Sequence, residues 1–459
     1  MVIGTQFQLA NLLVTVDTTQ NAPPTVDSPH RHHLLVSQIA HTWNLTTPHA
    51  TTLLLHQFHK PFDYDPTRDF FHFHHLYKSG GTSMSDLMDH TMGEEGILPG
   101  SYRSGDLNHE EALRAIQSRI DAGVPLDDLP YKGAYAHTGL RPVYGPHATK
   151  TGQFYRTYFP HRRLRAVTML RDPIDFRASN HAMIMCGLNH EVEVFNHDRI
   201  QQGWDRICTP EQGLNVSALI DGKVERMLEK CDEEAKEKKN DKIIVSRQQQ
   251  CDQERQGVDT LQHCRSPSNL LNHPQYDKHY RSMFKGVMGR FHRGQHFGGT
   301  AYGRMGYGYE RAESSDGYSV EAVEEYTLQD LGGLDLTISG AGDGVGTPEP
   351  DFLWFGITER MKESVVLYYY TFRLKPFPRV PKARIQDCRP TSWWTEQDKA
   401  IVREREPADF ALWRAANAIM DVRMEKLKME VRAKLEAGET KESLFYVDWK
   451  QLEELGIVF

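Results

Sequence analysis

A lysine, two glycines and a cluster of small hydroxyl residues stand together in Phe70–His90, FFHFHHLYKSGGTSMSDLMDH. The apolar, aromatic start predicts a strand over Phe70–Tyr77. Lys78 and the glycines predict a turn, and a helix is expected to open at Thr82 or Ser83 and run to Met92. That layout cradles anions, because the backbone N–H groups of Gly80, Gly81, Thr82 and Ser83 would point outward at a positive helix end. Lys78 precedes the glycines, the reverse of the GxxxxGK[ST] order. A second unit repeats the plan. The strand Arg165–Leu170 (RAVTML) ends in Arg171, Asp172-Pro173 turns the chain, and a helix predicted over Phe176–Cys186 carries Ser179. Arg171 offers a planar fork suited to a phosphate and Ser179 a hydroxyl from the same side. Open α/β sheets bind ligands at the carboxyl ends of their strands. Two such units, each suited to one phosphate, imply a nucleotide with phosphates at two separate places.

The elements that would position these groups alternate. A strand is predicted over Tyr131–Ala136, ending at His137, and a short helix over Thr151–Tyr158. A helix over His109–Ala122 would pack through Leu113, Ile116 and Ile120. Phe352–Ile357 (FLWFGI) reads as a short buried strand. The helix beginning at Thr358 has Glu359 in its first turn and Met361, Val365, Tyr368 and Phe372 on one face. Thr395 and Asp398 form a cap pair, Pro407 interrupts, and an amphipathic helix follows over Asp409–Glu436. Its stripe is Trp413, Ala416, Met420, Met424, Leu427 and Val431, and Gly438 stops it. The result is an α/β fold with a mainly parallel central sheet flanked by helices. Residues 1–66, rich in Thr, Pro and His, read as a loosely structured lead-in, and 67–459 as a single domain with long irregular insertions at about 208–350. Within those, the charge-dense run Glu225–Gln256 reads as a solvated helix or tether, Asn269–Met288 as a packed helix, and the glycine-rich stretches 286–318 and 331–350 as loops.

A chain of 459 residues with net charge −8 can bury a large core and does not suit a general nucleic-acid binder. The basic run His161–Arg165 (HRRLR) is the strongest local exception; it would attract an acidic glycan or be simply solvated. Six cysteines are spread without zinc spacing, and no metal site is expected. Asn44-Leu45-Thr46 and Asn215-Val216-Ser217 are acceptors for N-glycosylation if the chain enters the secretory path. Met1–Val16 has neither a basic n-region nor a long apolar run, so membrane association would need an anchor not seen in this chain.

His75-Leu76-Tyr77-Lys78-Ser79-Gly80-Gly81-Thr82-Ser83 and Arg171-Asp172-Pro173 with Ser179 resemble the paired motifs of the PAPS-dependent carbohydrate sulfotransferases. The similarity is to the Golgi group that includes the heparan sulfate 2-O- and 6-O- and the galactose 3-O-enzymes. Phe355–Phe372 resembles that family's G-L-T-E helix. The likeness covers roughly 69–188 and 351–428. It implies a P-loop-like fold, PAPS as donor, a carbohydrate acceptor, and a Golgi lumenal location, with a cytoplasmic one as the alternative. It also implies that Lys78, Ser79, Gly80, Gly81, Thr82 and Ser83 hold the 5′-phosphosulfate, and that Arg171 and Ser179 hold the 3′-phosphate. Phe176 stands where a second arginine is common, with Arg177 one residue later.

In-line sulfuryl transfer builds negative charge on the leaving phosphate oxygen, which Lys78 and the loop N–H groups would stabilise. The attacking hydroxyl needs a base near neutrality, and His137 is favoured by its place at a strand end. His75 would pack in the sheet or orient the loop, and His74, His90 and His109 are fallback bases among 23 histidines. Trp393 and Trp394 would either stack on a sugar or pack in the core. Two rival readings stay open: a catalytically silent glycan- or nucleotide-binding protein on the same fold, and a P-loop small-molecule kinase.

Overall fold

The computed structural model describes residues 29–62, 64–76, 79–93, 95–101, 107–136, 150–181, 319–331, 351–377 and 394–459, with Glu225, Ser268, Leu271 and Met283. Lys78, His137, Trp393, Asn215 and all six cysteines lie outside these residues, as do nearly all of Glu225–Gln256, Asn269–Met288 and the two glycine-rich stretches.

Four parallel strands form one sheet: β1 (Asp69–His74), β2 (Gly133–Ala136), β3 (Arg163–Leu170) and β4 (Asp351–Ile357), in the order β2-β1-β3-β4. Every residue of β1 and β2 is buried, as are the last six of β3. That explains continuous apolar runs in place of an alternating pattern. The register aligns His74 with Ala136 and Thr168, and Leu170 with Ile357, so the carboxyl ends of the strands finish together. After β1 the chain moves to β2 on one side and then returns past β1 to β3 on the other. The crevice between β1 and β3 is therefore the topological switch point of the sheet.

Helices flank the sheet. In chain order they are α1 (Pro29–Thr42), α2 (Ala50–His59), α3 (Gly81–Met92), α4 (His109–Asp121), α5 (Lys150–Tyr158), α6 (Pro173–Asn180), α7 (Val320–Asp330), α8 (Met361–Phe372), α9 (Glu396–Arg405), α10 (Pro407–Glu436) and α11 (Trp449–Glu454). α8 packs on β4, α10 and α11, so every residue from Ser364 to Phe372 is buried and not only the predicted face. The expected cap before α9 is present: Thr395 Oγ1 accepts from the Asp398 N–H at 3.1 Å, and the Asp398 carboxylate accepts from the Thr395 N–H at 2.9 Å. Pro407 then occupies the first turn of α10, where its missing N–H costs no hydrogen bond.

Three expectations need correction. Residues 29–59 are not a loose lead-in but two helices, α1 and α2, that bury Val36, Ile39, Leu54 and Phe58 in the main core. Helical spacing was present there, diluted by histidine and threonine. Inside the supposed irregular insertion stands α7, capped by Ser319 and packed on α10 and α2. Its fully buried Glu324 accepts from the Thr46 and Thr47 N–H groups at 2.6 and 3.2 Å and pairs with Arg414 at 2.7 Å. The buried side of α4 is Ala112 and Ile116, while Leu113 and Ile120 stand out toward solvent, because small Ala112 allows the closer approach.

The basic run lies at the amino end of β3, and its arginines are tied down. Arg162 donates to the Leu129 and Tyr131 carbonyls. Arg163 and Arg165 share the buried Asp69 carboxylate at 2.7 and 3.5 Å. His161 projects furthest into solvent, 75 % exposed, and Arg163 is exposed to 40 %. Asn44 of the first sequon is exposed just past α1, in left-handed backbone with φ +49°.

Candidate functional site

The glycine turn after β1 is built as a cradle. Gly80 sits at φ +77°, a left-handed backbone that L side chains rarely adopt, and forms the N-cap of α3. A glycine brings no capping side chain to that helix end, and the first-turn N–H groups of an α-helix have no acceptor within it. Gly81 is required for a different reason: a Cβ there would lie 2.0 Å from Cδ2 of the His75 ring. The buried His75 ring therefore acts as the floor of the turn, and the backbone N–H of His75 donates to the Ala136 carbonyl at 3.0 Å, extending the β1–β2 pairing. Ser79 is fully buried, and its hydroxyl has no hydrogen-bond partner among the described residues. Buried hydroxyls are rarely left so, which makes Ser79 a group poised for an acceptor that a ligand could bring.

The second unit is held beside the first by a residue that sequence reading missed. Thr358 opens the short 3-10 turn Thr358–Arg360 directly after β4. Its Oγ1 lies 2.8 Å from the Ser79 carbonyl and 2.9 Å from the Leu170 carbonyl, so one hydroxyl spans the ends of β1, β3 and β4. The same side chain fills the space against which a Cβ on Gly80 would press, at 3.1 Å. Arg360 anchors this turn from below, pairing with Glu363 and with Asp421 of α10, each at 2.6 Å.

Glu359, read from the sequence as a favourable first-turn charge, turns out to be a partner of the proposed phosphate-binding arginine. Its carboxylate lies 3.7 Å from Arg171 Nε and accepts from the Asp172 N–H at 2.9 Å. Burial, partly offset by Arg171, pushes the Glu359 carboxyl up to about 7. Only the register of the folded sheet brings both residues to the site: Thr358-Glu359 follows β4 where Arg171 follows β3.

Asp172 caps α6, accepting from the Ile174 and Asp175 N–H groups at 2.8 and 3.1 Å, and Pro173 follows in the first turn. Burial raises its carboxyl above the usual range. Ser179 is buried in the second turn of α6. Arg177 is fully buried and pairs with Glu406 at 2.6 Å and Asp409 at 3.4 Å, so it binds α6 to α10 and does not replace a second phosphate-binding arginine. Trp394 packs beside Ala178 and Val402 in a small core. The fallback bases are engaged elsewhere: His90 Nδ1 lies 2.6 Å from the Asp86 carbonyl, His109 Nε2 3.3 Å from Thr151 Oγ1, and His74 is buried within β1.

The site thus unites Ser79–Ser83 with Arg171 at the switch point, joined by Thr358 and flanked by Glu359. No family model matches this chain, and neither a curated protein nor a solved structure does.

Proposed function

We propose that this chain is a sulfotransferase of P-loop-like fold that moves a sulfuryl group from PAPS to a carbohydrate hydroxyl, in the Golgi lumen. The observation that carries this reading is the placement of two anion-directed units at neighbouring strand ends. An uncapped helix start with a left-handed glycine follows β1, and an arginine follows β3. A nucleotide with phosphates at its 5′ and 3′ positions has the matching chemistry. The unpartnered Ser79 hydroxyl and the helix start behind left-handed Gly80 suit a phosphate oxygen on the loop.

In this mechanism the acceptor hydroxyl attacks sulfur as the bond from sulfur to the phosphate oxygen breaks. The new S–O bond is to the sugar, PAP departs, and the hydroxyl proton passes to His137. Lys78 and the N–H groups of Gly80–Ser83 face the charge that grows on the leaving oxygen. Arg171 and Ser179 hold the 3′-phosphate, and protonated Glu359 leaves the Arg171 charge available to it.

Two measurements decide the matter. PAP should raise the melting temperature of the purified chain, whereas ATP with magnesium should not; the reverse pattern would favour the small-molecule kinase. Transfer of labelled sulfate from PAPS to a glycan panel then separates an enzyme from a silent binding protein, since the latter would bind PAP and transfer nothing.

A further inference from the structure

The two anion-directed units are joined through a third piece of chain, the turn Thr358–Arg360 that follows β4. Thr358 Oγ1 lies 2.8 Å from the Ser79 carbonyl, in the first unit, and 2.9 Å from the Leu170 carbonyl, at the root of the second. A threonine hydroxyl carries one proton. Both carbonyls share it, so neither unit shifts without altering the bond that the other receives. The Thr358 methyl stands behind Gly80, 3.5 Å from where a Cβ would be, and the left-handed N-cap of α3 rests on that same side chain. Next along the chain, Glu359 accepts from the Asp172 N–H at 2.9 Å and so reaches the second unit again.

The turn is itself held from behind. Arg360 donates through Nε and Nη2 to the Glu363 carboxylate, each at 2.6 Å, and its Nη2 also pairs with Asp421 of α10 at 2.6 Å. Asp421 in turn accepts from Trp43 Nε1, just past α1, at 2.6 Å. Ser364, fully buried in α8, accepts from the Ile357 N–H at 2.8 Å and lies 2.9 Å from the Arg360 carbonyl, which closes the corner between β4 and α8. A braced turn that touches both units is a strut between them.

We propose that Thr358 is a positioning residue that fixes the spacing of the two units, and that through it the chain prefers a nucleotide with two separate phosphates to one with a single phosphate. The identity of that nucleotide rests on the donor reading above; the strut does not. A ligand with two phosphates gains over one with a single phosphate only where the sites stand at a matching, fixed distance. Otherwise the second contact costs the ordering of its loop. Thr358 removes that cost before the ligand arrives.

The test titrates the whole chain with PAP, AMP and adenosine 3′-phosphate. PAP should bind more tightly than either mononucleotide. Thr358→Val keeps a methyl against Gly80 and loses the shared proton. It should cut the advantage of PAP by about tenfold, the effect of one hydrogen bond, and leave the affinity for each mononucleotide nearly unchanged. Thr358→Ser should keep the advantage. An equal loss for all three ligands would make the turn merely structural and overturn the proposal, as would an undiminished advantage in Thr358→Val. Arg360→Lys gives up the fork that holds Glu363 and Asp421; it should act in the same direction and stands in should Thr358→Val fail to fold. The donor reading fails separately. A parent chain that binds PAP no better than AMP sinks it, and the preference with it. The strut is then decided in the ligand-free chain by amide exchange. Thr358→Val should speed exchange in residues 79–84 and 171–176 together, and Thr358→Ser in neither. Faster exchange in one unit alone, or in none, overturns the strut.

Discussion

The two ends of this sheet handle charge in opposite ways. At the amino end, Arg163 and Arg165 converge on one buried carboxylate, Asp69, which also accepts from the Asp65 N–H at 3.0 Å. Side chains there answer side chains. At the carboxyl end the donors are mainly backbone groups, presented at a helix start whose N-cap glycine has no capping side chain of its own, and the strand-end Arg171 has a carboxylate partner poised near neutrality. The basic run His161–Arg165 is therefore structural, while the proposed anion site lies at the sparser end, between β1 and β3. Charge counted along a sequence measures supply, and only the fold reveals what has already been consumed.

Removing the hub at the amino end should give the largest effect. Asp69→Ala leaves Arg165 buried without its carboxylate, and loss of one partner of a buried pair costs about 3–5 kcal/mol. Urea unfolding should register that loss, while the fraction that remains folded binds PAP as before. A well-folded Asp69→Ala chain that no longer binds PAP would mean that the two ends are coupled. At the other end, Lys78→Ala should lower sulfate transfer by about 10²–10³-fold, the effect expected for one preorganised group at a developing charge. Its melting temperature should hardly move. Full activity in that variant would remove Lys78 from the leaving oxygen.

The glycines allow a sharper cut. Gly81→Ala drives a methyl into the His75 ring, and overpacking of this kind costs about 1–3 kcal/mol. It should also abolish stabilisation by PAP, because relief of the clash moves the loop. Gly93→Ala is the control: its φ of +73° strains a side chain, a backbone cost that Gly81 does not carry, yet nothing lies within 4 Å of the added carbon. It should cost stability and leave PAP binding intact. Equal loss of binding in both variants would reduce the cradle to ordinary backbone strain.

Much of this was legible because the relevant signals are local. A run of aromatics, two adjacent glycines and a hydroxyl-rich start predict strand, turn and helix without reference to distant residues, and β1 and α3 follow that plan to within a few positions. The stripe of α10 and the Thr395–Asp398 cap were readable for the same reason. What stayed hidden depends on partners far along the chain. Arg177 looks like a displaced phosphate ligand until Glu406 and Asp409 are placed against it. Glu324 is a surface-like acid in a helical sequence until Thr46, Thr47 and Arg414 surround it. Thr358 joins two chain segments that precede it by 279 and 188 residues, a role that its helix-opening position could not announce.

The smallest predicted effect concerns Glu359, and its sign follows from burial. The carboxyl is raised from 4.5 to about 7, so the folded chain binds a proton there that the unfolded chain releases at lower pH. Its contribution to stability is therefore complete below about pH 4.5 and is lost as the pH rises through about 7. Ligand binding should follow the same direction. Below neutrality Glu359 is uncharged and Arg171 presents its full charge to a phosphate; above it the carboxylate, 3.7 Å from Arg171 Nε, competes for the same cation. PAP affinity should fall several-fold between pH 6 and pH 8. Titration of the phosphate itself acts in the opposite direction, because it gains negative charge as the pH rises, so the informative comparison is Glu359→Gln. That variant keeps an acceptor for the Asp172 N–H and removes the titrating group. It should flatten the pH dependence, bind PAP at pH 8 about as well as the parent does at pH 6, and melt higher than the parent at pH 8 but not at pH 5. A parallel fall in parent and variant would assign the dependence to groups other than Glu359 and leave Glu359 as a mere brace for the turn. A steeper loss in the variant would mean that the carboxylate helps to aim Arg171, which would make the Arg171–Glu359 pair part of the binding geometry and not a competitor within it.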